Sequence, residues 1–378
     1  MTRRVLFHVQ HLLGIGHLRR AAALAKACAG HGLEVTVASG GGAIDDLDTG
    51  DAALVQLPPL RAADAGFTRL LDDRGREIDD AWRAGRLAAS LDLFARIRPH
   101  VLVIETFPFG RRRLAFELLS LLAAARRAGT VTVCSVRDIL TARQAKRTTE
   151  AAGWARDHID HVLVHGDPDF IAFGDSFPAA AEIAGKLAYT GYVAAEEPAA
   201  AGDPGRDEII VSAGGGAVGE ALLRTALEAQ ALMSGRRWRL LAGDNLPEAA
   251  FAALAADAPD RVLVERARPD FTALLQNAAA SVSQAGYNTV VDLLRAGTRM
   301  LLVPFAAPGE TEQTLRAERL EARGLARRLG EDSLTPERLA EAVRSVLDGP
   351  PPPPHGIALD GAGRGAGMIA GWADERLA

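Results

Sequence analysis

Residues 281–324 read SVSQAGYNTVVDLLRAGTRMLLVPFAAPGETEQTLRAERLEARG, and this stretch decides the fold. A short apolar strand ends near Ser283, and Gly286 then turns the chain. TVVDLLRAG has helical spacing, with Asn288 or Thr289 placed to cap the helix and Gly297 to close it. Amides at a helix start have no intrahelical partner and sit at the positive end of the dipole, so they attract anions. Asp292 lies about one turn further in, where a carboxylate can hold a ribose diol while the amides hold a diphosphate. The next strand ends at Pro304, and a polar loop then carries Glu312 and Gln313. Each of those side chains can bond two hydroxyls, which suits a sugar.

Strand, glycine turn and helix recur twice upstream. In SAGGGAVGE, a strand from Glu208 to Ser212 leads into Gly214, Gly215 and Gly216, with a helix expected from about Val218. Glycines let the backbone approach a ligand closely, so this is a second phosphate site. Gly214, Gly216 and Gly219 also match G-x-G-x-x-G, and Asp244 ends the next strand, so a dinucleotide site competes. Near the start, FHVQHLLGIGHLRR (7–20) runs from a strand into Gly14 and Gly16 and places His17 at a helix start. That end of the dipole disfavours imidazolium, leaving a neutral ring able to accept a proton. The dinucleotide fingerprint fails here, because Arg19 takes the third glycine position and LEVTVASGG ends without an acid.

Valine- and leucine-rich runs such as HVLVIE, TVTVCSV, HVLVHG, EIIVSAG, WRLLAG and RVLVE alternate with helical patterns along the chain. Strands buried on both faces make parallel sheets, and the alternation is that of an α/β protein. Composition breaks at GYVAAEEPAAAGDPGRDE (191–208), a hinge, and at DGPPPPPHG (348–356), a stiff spacer. Four segments are expected: 1–192, an acceptor-binding Rossmann-like domain; 193–207, a linker; 208–349, a nucleotide-binding Rossmann-like domain; and 350–378, the spacer with a last helix crossing back to the first domain. LRAADAGFTRLLDDRGREIDDAWRAGRL (60–87) reads as a polar, mobile loop followed by a helix, and the acid pairs Asp45–Asp46, Asp72–Asp73 and Asp79–Asp80 as solvated surface.

Bulk properties narrow the function. The 378 residues suffice for two domains, with 48% hydrophobic and 24% charged residues. A net charge of −5 offers no basic field for nucleic acid. Two cysteines, Cys28 and Cys134, build neither a disulfide framework nor a four-cysteine zinc site, and fit a reducing cytoplasm. The N-terminus reads as the first strand and not a signal peptide, and no run reaches the roughly 18–20 apolar residues of a membrane span.

These motifs resemble the GT-B glycosyltransferases, and among them the MurG-like family. The resemblance covers most of the chain. It is strongest over Ser281 to Arg323, good at GGGAVGE and LGIGH, and poor between residues 45 and 95. It implies two Rossmann-like parallel-sheet domains facing a central cleft, with a nucleotide-sugar donor, UDP-linked, on the C-terminal one. It places Ser283 and Gly286 on the diphosphate loop, with Tyr287, Asn288 and Thr289 in the following turn. Asp292 falls on the ribose, and Glu312 and Gln313 on the donor sugar. Arg266, Ala267 and Arg268, in VERARPDF, fall where the base is held. Arg316 stands where MurG has asparagine.

The N-terminal half is then expected to bind the acceptor, through Gly14 and Gly16. His17 is the expected catalytic base, with Glu105 at the end of HVLVIE to orient it or to touch the acceptor. Arg137 and Asp138, at another strand end, are acceptor-side candidates or a local ion pair. The His158, His161 and His165 cluster lacks a metal-binding pattern, and GRRRLAFELLSLLAAARR reads as a core helix, with a weak peripheral membrane contact as the alternative. The expected activity is inverting, metal-independent transfer of a sugar to a hydroxyl of a cell-surface glycan, a lipid precursor or a small natural product. It needs no cofactor, no metal and no nucleic-acid partner, and it is expected in the cytoplasm or at the inner membrane face, from a monomer or homodimer. A nucleotide-sugar hydrolase or 2-epimerase of the same fold is the alternative. A non-catalytic nucleotide-sugar-binding subunit and a dinucleotide-dependent oxidoreductase follow.

Overall fold

The computed structural model describes residues 2–12, 15–45, 47–63, 69–141, 144–194, 202–214, 219–233, 235–306 and 311–377. Gly14, Gly215, Gly216, Val218 and Asp46 of the sequence reading lie outside the described residues. The chain divides into two compact units, Met1–Ala195 with Ile357–Ala378, and Glu196–Gly356.

The first unit opens with β1 (Arg4–Val9), α1 (Gly16–Gly30), β2 (Glu34–Ser39), β3 (Ala53–Gln56), β4 (Arg61–Ala62), β5 (Leu70–Leu71) and α2 (Asp80–Ile97). It continues through β6 (Val101–Glu105), α3 (Ala115–Ala128), β7 (Val131–Arg137), α4 (Ala145–His158), β8 (His161–His165) and β9 (Leu187–Tyr189). Seven strands make one sheet in the order β3-β2-β1-β6-β7-β8-β9, and every pairing in it is parallel. Alternation along β1 shows why both faces are covered. Val5, Phe7 and Val9 pack with Leu18 and Leu24 of α1, whereas Leu6 joins the cluster that holds Leu118 and Leu122 of α3.

The second unit runs β10 (Ile209–Ser212), α5 (Glu220–Ala231), β11 (Trp238–Ala242), α6 (Glu248–Ala256), β12 (Val262–Arg266) and α7 (Phe271–Asn277). It ends with β13 (Ala280–Ser283), α8 (Tyr287–Ala296), β14 (Met300–Leu302), α9 (Glu312–Ala322), β15 (Ala326–Arg328) and α10 (Pro336–Asp348). Its six strands are ordered β12-β11-β10-β13-β14-β15, again all parallel. The expected α/β class with two parallel sheets is therefore the observed one.

Several local expectations change. β3 and β15 are short sheet edges whose residues ALVQ and ARR are mostly exposed, so no apolar run marks them. β4 and β5 pair antiparallel within the stretch read as a polar loop. α5 starts at Glu220 behind an N-cap at Gly219, later than Val218. Asp72 is buried, not solvated, and accepts the backbone N–H groups of Arg74 and Arg76. Asp79 caps α2 by accepting the Trp82 N–H at 2.7 Å.

The last helix, α11 (Gly361–Leu377), belongs to the first unit. Ala366, Ile369 and Ala373 bury its inner stripe in the α1 side of that unit's core. Trp372 stacks on His161 with ring centroids 4.1 Å apart, so one histidine of the cluster is a docking residue. The GRRRLAFELLSLLAAARR segment is a core helix, with Leu118, Leu121 and Leu122 buried and Arg112 paired to Glu150. Among the described residues, no helix is long and apolar enough to cross a membrane. Because Ile369 is fully buried, Ile369→Ala should lower the stability of the first unit by about 2–4 kcal/mol in denaturant unfolding.

Candidate active site

In the first sheet the strand order reverses direction between β1 and β6, and ligand crevices of such sheets open there, past the carboxyl ends of the strands. Glu105 is the last residue of β6, and His17 lies in the first turn of α1, directly after β1. The structure brings the two together. His17 Nδ1 is 2.9 Å from Glu105 Oε1. Glu105 is only 2% exposed, whereas the His17 side chain keeps 24% of its surface open.

Two groups that the sequence reading did not single out complete this pair. Arg20 donates Nη2 to the same Glu105 Oε1 and lies 3.0 Å from His17 Nδ1. Ser135 Oγ donates to Glu105 Oε2 at 2.5 Å and is itself 2.9 Å from Nε2 of the buried His165. His165, flagged in the sequence for its spacing from His161, thus stands behind the carboxylate. Among the described residues no group of three His, Cys, Asp or Glu side chains could hold a metal ion.

This geometry determines the charges. Burial alone would raise the Glu105 carboxyl, but the Arg20 guanidinium and the His17 contact outweigh it and hold the group below the usual carboxylate range. His17 is lowered to about 4, mainly by burial and then by Arg20 and Arg111, against the raising effect of the Glu105 hydrogen bond. His165 is lowered to about 3, by burial and by Arg20. At neutral pH the carboxylate is therefore an anion and both rings are neutral. Glu105, as an ionised acceptor, takes the Nδ1–H proton, so Nε2 carries the free lone pair of His17. Burial and a flanking cation thus act with the helix terminus to keep the ring neutral.

A second buried network props the end of β1. His8 Nε2 and Arg86 Nε lie 2.9 and 3.0 Å from Glu117 Oε1, and Arg86 Nη2 donates to Gln10 at 3.1 Å. The other acceptor-side candidates, Asp138 and Arg137, lie at the end of β7. Asp138 is wholly buried and accepts the Tyr192 hydroxyl at 2.6 Å, and Arg137 is half-buried at the end of β7. Gly16 is the first residue of α1.

In the second unit, the strand order reverses between β10 and β13, and the loops after these two strands carry the donor-side candidates. Gly214 has φ +66°, a left-handed conformation that glycine adopts without strain, and a Cβ there would lie 3.8 Å from Thr289 Oγ1. Gly214 therefore lies beside the start of α8. The N-cap of α8 is Gly286, not Asn288 or Thr289, and no side chain caps it. Gly219, before α5, likewise offers no side-chain cap. Two helix starts thus present amides at one sheet edge without a side-chain acceptor.

The remaining candidates are partly occupied by the fold. Ser283 Oγ is buried and 2.7 Å from Ser281 Oγ, and Tyr287 is buried beneath Arg316. Asn288 is exposed, and Asp292 is half-buried in the second turn of α8. Gln313 Oε1 accepts the amides of Ala285 and Phe305 at 3.0 and 3.1 Å, tying both loops together. Glu312 begins α9 and pairs with the fully buried Arg316 at 3.0 Å, which also donates to Ala285 O at 2.9 Å. Arg266 stacks over Phe251 and donates to Leu246 O, Ala267 N donates to Ala242 O, and Arg268 forks onto Asp270.

Comparison with known proteins gives a family match in the C-terminal unit and a fold match along the chain. Residues 212–353 match the glycosyltransferase family 28 C-terminal domain. The UDP-N-acetylglucosamine–N-acetylmuramyl-(pentapeptide) pyrophosphoryl-undecaprenol N-acetylglucosamine transferase of Hahella chejuensis is 36% identical over 81 residues, 21% of this chain and 22% of that protein. The enzyme of the same name from Rhodopseudomonas palustris is 35% identical over 113 residues, 29% of each chain. The match thus spans under a third of either relative. Among solved structures, the calicheamicin glycosyltransferase CalG4 superposes with a TM-score of 0.64 at 17% identity, covering 99% of this chain and 95% of that one. MurG of Acinetobacter baumannii superposes at 0.59 and 16% identity, covering 99% and 94%. The chain has the GT-B fold, and it resembles the MurG-like glycosyltransferases in fold along its length and in sequence over its C-terminal unit.

Proposed function

We propose that this chain is an inverting, metal-independent glycosyltransferase that moves a sugar from a nucleoside-diphosphate donor, UDP-linked, to a hydroxyl of an acceptor. The observation that carries the reading is a neutral His17, held through Nδ1 by a buried carboxylate and with Nε2 left to accept a proton. As the acceptor oxygen bonds to the anomeric carbon, its proton moves to Nε2 and the bond from that carbon to the β-phosphate oxygen breaks. Glu105 stabilises the imidazolium that forms. The departing diphosphate gathers charge, and the reading assigns its uptake to the amides at the starts of α5 and α8, together with Gly214, Ser283 and Gly286; Gly215 and Gly216 are assigned to it from the sequence alone. Preorganised amides of this kind fill the role a metal ion fills elsewhere.

On the donor, Asp292 is assigned to the ribose, Glu312 and the Gln313 amide to sugar hydroxyls, and the Arg266–Arg268 segment to the base. The family match extends over the glycine loop and the Gly286–Gln313 segment alike, which favours reading them as one donor site and not the loop alone as a dinucleotide site. On the acceptor side, Gly14 and Gly16, which precede His17 in the sequence, are assigned to acceptor binding. The names of the relatives support a nucleotide-sugar donor and a sugar-bearing acceptor, and the reading places the enzyme in the cytoplasm or at the inner membrane face.

Two outcomes test this. His17→Ala should lower UDP release from UDP-N-acetylglucosamine in the presence of a screened hydroxyl acceptor by about 10²–10⁴-fold, with UDP binding preserved. Retained turnover would overturn the assignment, and full-rate sugar release without acceptor would make the enzyme a hydrolase. The pH dependence follows from the lowered histidine. A group whose folded pKa is about 4 stays unprotonated through the ordinary histidine range, so kcat/KM should remain level from pH 7 to about 5 and fall only below that. An acid limb centred near 6.5 would contradict the proposed environment.

A further inference from the structure

We propose that Arg20 is a positioning residue of this site, whose guanidinium fixes the protonation state of the Glu105–His17 pair. The inference rests on the reading of His17 as the base. Arg20 lies three residues after His17, on the same face of α1, and its side chain is 4% exposed. One Nη2 serves both partners: it donates to the Glu105 oxygen that also takes the histidine proton, and it lies 3.0 Å from Nδ1.

The charge accounting around the pair assigns the role. Arg20 from α1 and Arg111 from the loop after β6 are the cations acting on His17, and Glu105 from β6 is the anion. Ser135 from β7 donates to Glu105, Thr106 Oγ1 is 3.2 Å from both partners, and His165 from β8 stands behind Ser135, with its ring under the fields of Arg20 and Glu105. Cys134, beside Glu105, is pushed up by burial and by that carboxylate, so its thiol stays neutral. Arg20 is therefore the buried cation in direct contact with the Glu105 anion. Without it, that anion would be buried with hydroxyls and the neutral imidazole N–H as its donors, and a buried carboxylate left without a cation recruits a proton or a positive neighbour. The neighbour able to supply charge is His17, whose ring would then hold a proton, and lose its lone pair, up to a higher pH.

The consequence separates positioning from mere structural support. In Arg20→Met, the acid limb of kcat/KM should move up in pH by about one unit or more from its place in the natural chain, whereas a packing defect would lower the rate at every pH and leave the limb where it was. The direct readout needs no activity. In the free protein with ¹⁵N-labelled histidine, the ring resonances of His17, identified by their loss in His17→Gln, should titrate near 4 in the natural chain. In folded Arg20→Met the midpoint should rise by about one unit or more. A smaller rise overturns the proposal. If Arg20→Met does not fold, Arg20→Lys is read in the same way. A retained cation should keep the midpoint below the ordinary value of about 6.5, and a midpoint at or above that value overturns the proposal. Absence of sugar transfer in every assay would overturn the proposed function instead, and leaves this titration intact as a test of the coupling.

Discussion

Glu105 brings a full negative charge to a position only 2% exposed at the end of a parallel strand, and the N-terminal site is organised around compensating it. Arg20, His17 and Ser135 all point donors at its two oxygens, and His165 stands behind Ser135. Each partner is thereby fixed in turn. The histidine is oriented through Nδ1, its free nitrogen is decided by elimination, and its proton affinity is set by burial and the adjacent cation. A carboxylate near the surface would leave the ring mobile and its pKa close to the ordinary value. Burial makes the arrangement costly to break and so keeps the geometry narrow.

The C-terminal unit meets the opposite electrostatic need by other means. In the proposed donor site the diphosphate is met by helix-start amides, not by arginine or lysine side chains. The starts of α5 and α8 have glycine N-caps, so no serine, threonine or aspartate competes for their amides. The arginines nearby are engaged elsewhere: Arg316 clamps Glu312 and Ala285 O, and Arg266 clamps Leu246 O. Gln313 then joins the loops after β13 and β14 through one oxygen. Their positions therefore depend on the side chain that the proposed function assigns to the donor sugar.

Much of this was legible in the sequence because the decisive signals are local. A valine-rich strand ending in glutamate, or a glycine turn followed by histidine and a helix, marks a strand's carboxyl end without knowledge of the fold. The hidden parts depend on strand order. Ser135 and His165 meet Glu105 only because β6, β7 and β8 are neighbours, which spacing along the chain does not reveal. Arg20 was visible as a residue three positions from His17, yet its pairing with Glu105 needs β6 against β1. At α8, propensity favours Asn288 or Thr289 as the cap, whereas the chain uses Gly286 and keeps the amides open. The short edges β3 and β15 escaped because their exposed residues carry no apolar pattern.

The central claim is that the C-terminal unit binds a nucleoside diphosphate at its two helix starts, in support of base-catalysed transfer by His17. Thermal unfolding of the whole chain with UDP, GDP, dTDP or NAD, each at millimolar concentration without metal, tests it most directly. A ligand at about 100 times its dissociation constant stabilises the folded state by about 2.7 kcal/mol, a shift that a melting curve resolves. The account expects UDP to raise the melting temperature while NAD leaves it unchanged. Stabilisation by NAD with none from any diphosphate would contradict it, and would return the glycine loop to the dinucleotide reading.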